Sequence, residues 1–254
     1  MTETFCTLPT APKLALLADL HARPYRQIIR SLRKNRPPLI CIAGDLFCGS
    51  RPADGRSPLL SQPNVLSFLK ECAAVAPTYL SLGNHEQWLD SADLEGLRGS
   101  GAAVLDNGWL EKDGLVIGGL TSGYCMDVRR YRSARNGPVE RYPEPGRDFE
   151  YLRRPDVSWL QDFAAVPGYH VLLCHHPEYY PLIPDTVEMI LSGHAHGGQI
   201  RLFGRGVFAP GQGFRPDYTK GIYHDRMIVS AGLSNPARVP RIFNPTEIVY
   251  VGLR

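Results

Sequence analysis

The chain has no run approaching the roughly 20 apolar residues that a membrane-spanning helix requires. Its first apolar run, Leu14 to Ala18, stops at Asp19, and Met1 to Thr10 lacks the basic-then-apolar pattern of an export signal. The expectation is a cytoplasmic protein without a membrane anchor. Cysteine pairs of the Cys-x-x-Cys kind are also missing, which argues against a cysteine-built zinc ribbon or a dithiol redox motif. The six cysteines, at 6, 41, 48, 72, 125 and 174, read as reduced thiols, with Cys41 and Cys174 acting as small buried hydrophobes. Charge of one sign is scarce as well. Twenty-eight basic residues face 25 acidic ones, and a net charge of +3 makes no case for nucleic acid as a partner. Neither an internal repeat nor a composition break divides the 254 residues, so a single domain over 1–254 is expected. Oligomeric state is left open.

What the chain does contain is an alternation of short apolar runs with amphipathic stretches. Strands are predicted at 13–18, 39–43, 78–82, 103–105, 109–111, 115–119, 169–174 and 187–191. Helices are predicted at 25–34, 63–75, 91–100 and 158–164, the second opening on Pro63 in its first turn. Short β runs follow at 200–203, 221–223, 227–230 and 248–253, with a hairpin turn at His224-Asp225-Arg226. Alternating strands and helices followed by hairpins imply an α/β protein with two layers of sheet flanked by helices.

The predicted strands end in a repeated chemistry. The first ends in Asp19-Leu20-His21, the second in Gly44-Asp45 and the third in Gly83-Asn84-His85-Glu86. Two later strands end in His175-His176-Pro177 and Gly193-His194-Ala195-His196-Gly197-Gly198. On an extended backbone, residues two apart face one side, so Asp19 with His21, and His194 with His196, are expected to project together. Taken singly, each motif is an ordinary turn signal. Six of the eight histidines fall in these segments, and burying so many imidazoles and carboxylates without partners is costly. Ligand sites form at the carboxyl ends of strands in open α/β sheets. His170 and His224 lie outside the motifs and are expected to be solvated.

In this order, Asp-x-His, Gly-Asp, Gly-Asn-His-Glu, His and Gly-His-x-His resemble the calcineurin-like metallophosphoesterase superfamily. The ending Ser-Gly-His-Ala-His-Gly-Gly-Gln is similar to a bacterial branch that includes UDP-2,3-diacylglucosamine hydrolase-like phosphoesterases. The resemblance implies a four-layer α/β/β/α sandwich of two mixed sheets flanked by helices. It also implies two divalent metal ions. Asp19, His21 and His196 would hold one, Asn84, His175 and His194 the other, and Asp45 would bridge them. His85 would contact the phosphate or protonate the leaving oxygen. Glu86 would orient a neighbour or lie on the surface. Ligands of His, Asp and Asn without Cys suit manganese first, with iron, zinc or cobalt as alternatives.

The implied activity is hydrolysis of a phosphodiester or pyrophosphate bond in a small phosphorylated substrate, by attack of a metal-bridging hydroxide. The same site could serve a phosphomonoesterase or protein phosphatase. A non-catalytic metal-binding scaffold is the remaining alternative, and such chains usually lose ligands that this one keeps. Between Arg129 and Arg154 there are eight arginines and four acids, within an irregular stretch at 121–155 that reads as a lid or insert. Arg129, Arg130 and Arg132, together with His176, are the candidate substrate contacts.

Overall fold

The protein is described by a computed structural model, which covers residues 1–48, 57–123, 155–210, 212–236 and 239–253. Arg129, Arg130, Arg132 and nearly all of the 121–155 insert lie outside the described residues. The first half of the chain builds β1 (Thr2–Cys6), β2 (Leu14–Leu17), α1 (Arg26–Asn35), β3 (Ile40–Ala43), α2 (Pro58–Ser61), α3 (Pro63–Ala73), β4 (Thr78–Ser81), α4 (Ser91–Arg98), β5 (Ala103–Leu105), β6 (Gly108–Lys112) and β7 (Leu115–Leu120). The second half adds α5 (Leu160–Ala165), β8 (Tyr169–Cys174), β9 (Met189–Ser192), β10 (Arg201–Leu202), β11 (Arg205–Gly206), β12 (Phe208–Ala209), β13 (Gly213–Phe214), β14 (Gly221–Tyr223), β15 (Met227–Val229) and β16 (Glu247–Val251). No described helix is long and apolar enough to cross a membrane.

The two large sheets have six strands each, in the orders β1-β16-β2-β3-β4-β5 and β14-β15-β9-β8-β7-β6. Strands β2 to β5 run parallel, and so do β7, β8, β9 and β15. A strand buried on both faces sends alternate side chains into two different cores. Along β2, Leu14 and Leu16 face the second sheet, while Ala15 and Leu17 face the helices. The inter-sheet core joins Leu16, Cys41 and Tyr79 to Ile117, Leu173 and Leu191. On the outer face of the first sheet, Ile28, Leu32, Phe68, Leu69 and Leu97 bring in α1, α3 and α4. On the outer face of the second, Leu160 and Phe163 of α5 pack with Val116, Leu172 and Ile190. The layers are therefore α/β/β/α, as the sequence implies.

Strand β1 is absent from the sequence expectation. Its five residues are only partly buried and carry no periodic pattern strong enough to stand alone. It forms because β16, from the far end of the chain, supplies a parallel partner from Thr2↔Glu247 to Cys6↔Val251. His170 is a correction: it is buried rather than solvated, and Glu188 accepts from both its backbone N–H and its Nδ1 at 2.9 Å. His224 is exposed, as expected, and stacks on Tyr180. Phe163 is fully buried between α5 and the second sheet and contacts Trp109, Trp159 and His170. Phe163→Ala should lower unfolding free energy by roughly 3–5 kcal/mol in denaturant titration.

Candidate metal centre

The parallel strands of both sheets release their chains at one end of the sandwich. Asp19 follows β2, Asp45 follows β3, Asn84 follows β4, His175 follows β8, and His194 with His196 follows β9. Backbone bonds between neighbouring strands tie the exits within each sheet: Asp19 N–H donates to Gly44 O at 3.1 Å, and Gly193 N–H to His175 O at 3.0 Å, while His194 N–H reaches across to the Asp19 carboxylate at 3.2 Å. Gly83 and Gly193 are glycines because of this crowding. A Cβ on Gly83 would lie 2.3 Å from Asp45 Oδ1, and one on Gly193 would lie 2.5 Å from Ala18 Cβ.

The motif residues converge, but not by strand alternation. Asp19, His21, Asp45, His194 and His196 all take positive φ, between +46° and +65°. Left-handed backbone costs a non-glycine residue roughly 1 kcal/mol or more, and such strain clusters where a site demands it. The extended-chain expectation for the two His/Asp pairs is therefore corrected. Asp19 and His21 meet through left-handed turns, and His196 opens a short 3-10 turn rather than continuing β9.

Two groups result. Asp19 Oδ1 lies 3.8 Å from His21 Nε2 and 3.6 Å from His196 Nε2. His175, His176 and His194 gather in the second group, with ring centroids 5.1 Å apart for His175–His194 and 3.9 Å for His176–His194. Asp45 Oδ2 stands between the groups, 3.9 Å from His21 Nε2 and 3.1 Å from His175 Nε2. Its Oδ1 accepts from His85 N–H at 2.9 Å. His85 is the group that reaches outward, with its side chain 28% exposed and Nε2 3.8 Å from Asp45 Oδ2.

Donor chemistry tests whether cations fit. His21 Nε2, Asn84 Oδ1, His175 Nε2, His176 Nε2 and His194 Nε2 are buried and have no hydrogen-bond partner. Buried polar atoms are nearly always satisfied, so unpartnered imidazole nitrogens gathered beside two carboxylates need something to bind, and the buried Asn84 oxygen that follows β4 is unpartnered too. Burial lowers the His21 imidazole to about 4 and holds His176, His194 and His196 well below the usual range. These four rings are thus neutral, the form that ligates metal. Burial raises the Asp19 carboxyl to about 7. It would raise Asp45 too, but the surrounding His175, His85 and His21 hold that carboxyl well below its usual value. Burial opposes a charge on His175, yet Asp45 and Asp19 lift it to about 10. A cation between these groups would replace the proton that the carboxylates otherwise draw onto His175.

The surroundings fix the rings. His21 Nδ1 meets Phe47 O at 3.1 Å, and His175 Nδ1 meets Ala43 O at 2.6 Å, which turns each Nε2 inward as an acceptor. His176 Nδ1 meets Ser122 Oγ at 2.8 Å. The sequence places His176 beside substrate, on the ground that neighbours on a strand point apart. The turn that follows β8 instead brings its ring against His194 and buries it at 2% exposure.

Glu86 is buried rather than on the surface. Its carboxylate accepts from the backbone N–H of Gly83, Asp45, Leu46 and Phe47 at 2.6–3.2 Å, tying the two loops that carry Asp45 and Asn84. Arg241, Ser234 and Asn244 carry no motif and were not foreseen. Ser234 Oγ donates to Asp19 O at 2.9 Å, and Asn244 Nδ2 donates to His196 O at 2.7 Å. Arg241 Nη2 lies 3.0 Å from His196 Nδ1. A guanidinium only donates, so this contact puts the His196 proton on Nε2, and a cation at Nε2 requires Arg241 to give up the bond.

The profile of the calcineurin-like phosphoesterase family matches residues 12–198, and the chain belongs to that family. An uncharacterized metallophosphoesterase of Campylobacter jejuni is 25% identical over 95% of this chain and 59% of its own length. The chain thus spans little more than half of that relative. Another, of Aquifex aeolicus, is 24% identical over 96% of this chain and 86% of its own. Among solved structures, the sulfate thiohydrolase SoxB from Thermus thermophilus aligns with a TM-score of 0.43 at 15% identity, over 74% of this chain and 49% of its own. Family membership is what the matches show, and the His and Asp groups of the site are of the kind that could hold a metal ion.

Glu86→Gln puts an amide N–H₂ against backbone N–H groups. It should weaken divalent-metal affinity by about 10- to 100-fold, measured by titration with a competing chelator, while the chain stays folded.

Proposed function

We propose that the chain hydrolyses a phosphodiester or pyrophosphate bond at a two-ion centre, with Mn²⁺ as the ion and iron, zinc or cobalt as alternatives that the donors accept. The observation that supports this most is the set of buried, unpartnered imidazole nitrogens of His21, His175, His176 and His194 gathered beside Asp19 and Asp45. In this reading Asp19, His21 and His196 hold one ion. Asn84, His175 and His194 would hold the other, and Asp45, whose Oδ2 stands between the two groups, would be shared by both. His176 joins the second group as a further imidazole rather than touching substrate, because its free Nε2 is buried beside His175 and His194.

When bound, the ions would supply a water of lowered pKa and a clamp on the phosphoryl oxygens. The protein supplies position. Asp45 and the imidazoles are held from behind by backbone carbonyls and by the Glu86 clamp, so little reorganises during reaction. His85 stands at the exposed side of the centre, where a phosphoester would enter. The water oxygen adds to phosphorus and its proton passes to solvent, the bond to the leaving oxygen breaks, and that oxygen takes a proton from protonated His85, which solvent then reprotonates at the exposed side. A phosphomonoester would meet the same groups. Side-by-side assay of mono- and diester chromogenic substrates separates the two reactions.

Chelation should abolish hydrolysis, and Mn²⁺ should restore it. Asp45→Asn and His194→Ala should each lose activity by about 100-fold or more, and activity retained in both would overturn the reading. For His176→Ala, we expect the affinity of one of two bound ions to fall at least ten-fold, with kcat reduced. A raised KM with unchanged metal affinity would return His176 to the substrate side.

A further inference from the structure

The described surface carries eleven exposed large hydrophobic side chains, and eight of them fall between residues 202 and 243. This clustering is far from the single scattered apolar residues of an ordinary surface. Backbone bonds unite the segments concerned. Val207 N–H donates to Ile200 O at 2.8 Å, Arg215 N–H to Val207 O at 3.0 Å, and Arg201 N–H to Ile242 O at 3.0 Å. The β10–β11 hairpin, the β12–β13 hairpin and the 239–243 strip therefore form one platform.

Its apolar residues sit where local structure asks for something else. Phe203 and Gly204 form the two-residue tip of the β10–β11 hairpin, with φ of +50° and +79°. Two positive φ values at such a tip favour Asn-Gly or Asp-Gly. Phe203 is instead fully exposed, at 104%. Phe243 repeats the anomaly, 80% exposed at φ +53°. Neither ring gains burial within the fold to offset its strained backbone. Phe214, 77% exposed, and Leu202, 49% exposed, extend the same surface.

The charge on this platform is predominantly basic. No acidic residue occurs from 189 to 216. Leu202 and Phe214 share a groove of about 920 Å³ with Arg201, Arg205, Arg215 and Lys220, and Asp217 is the acid that lines it. Arg201 is spent on Gly197 O, Gly204 O and Thr219 Oγ1, and Lys220 pairs with Glu247. The guanidinium groups of Arg205 and Arg215 have no partner among the described residues. Exposed aromatic tips beside free arginines match the interface of an anionic bilayer, where rings enter the head-group level and arginines meet phosphates. The exposed Phe203 at a hairpin tip suits insertion into a yielding surface.

We infer that this platform docks the protein reversibly onto anionic lipid, through Phe203, Phe243, Phe214 and Leu202 with Arg205 and Arg215. The platform adjoins the metal centre. Val207 N–H donates to Gly198 O at 3.2 Å, and Arg201 Nη1 to Gly197 O at 2.9 Å, on the turn that carries His196. Docking therefore holds the centre close to head-group phosphates. Resting on the function proposed above, this makes the substrate an amphiphile whose phosphoester lies at the interface.

The test is co-sedimentation of the full chain with phosphatidylcholine vesicles, with and without phosphatidylglycerol. Wild type should bind the phosphatidylglycerol vesicles and release them in high salt. Phe203→Glu/Phe243→Glu and Arg205→Glu/Arg215→Glu should each bind at least ten-fold more weakly while hydrolysing a soluble chromogenic diester like wild type. Failure of wild type to bind, or undiminished binding by both variants, overturns the inference. So does a concentration-dependent dimer, without vesicle binding, that Phe203→Glu/Phe243→Glu abolishes, because the occupant is then a second copy. Absence of diester hydrolysis in every protein would overturn the proposed function and leave the vesicle result to stand alone.

Discussion

Everything at the strand ends depends on one electrostatic constraint. Two carboxylates are buried beside a set of imidazoles, and the Nε2 atoms of His21, His175, His176 and His194 have no hydrogen-bond partner. Burying polar groups unpaired costs several kcal/mol in total. Divalent cations would remove that cost, and the strand ends are arranged so that they could be held there. The two sheets are parallel where they carry ligands, so that every ligand loop leaves at the same end. Glycines stand where those loops come closest. Five of the candidate ligands, Asp19, His21, Asp45, His194 and His196, take left-handed backbone, and the bond from His194 N–H to the Asp19 carboxylate joins the two sheets there.

The centre divides into unequal halves. One side offers the Asp19 carboxylate with two imidazoles, and the other offers three imidazoles. His176 makes the difference. Its Nδ1 is committed to Ser122, so its Nε2 is free for the centre. Nitrogen-rich donors suit the later transition metals better than manganese, whereas a carboxylate side accepts manganese readily. Asp45 joins the halves, and Glu86 behind it ties the Asp45 loop to the Asn84 loop through four backbone N–H groups.

Much of this was legible in the sequence, because apolar runs and the polar residues that end them survive as local patterns. Strands such as Tyr169–Cys174 and Ala103–Leu105 fall where the runs predict. The ligand motifs were readable because their residue types are too polar for the core they adjoin. What was not readable depends on distant partners. Strand β1 needs β16, Arg241 and Asn244 reach His196 from more than 40 residues away, and His170 is buried by Glu188 from a different strand end. Backbone handedness was also hidden. An extended chain puts His175 and His176 on opposite sides, and only the turn into Pro177 brings both rings to His194.

Anomalous diffraction from crystals grown with Mn²⁺ tests the central claim most directly. The account predicts two peaks roughly 3.5–4 Å apart, flanking Asp45, with His176 among the ligands of the ion shared by His175 and His194. One peak or none at these residues, in crystals saturated with metal, would contradict it.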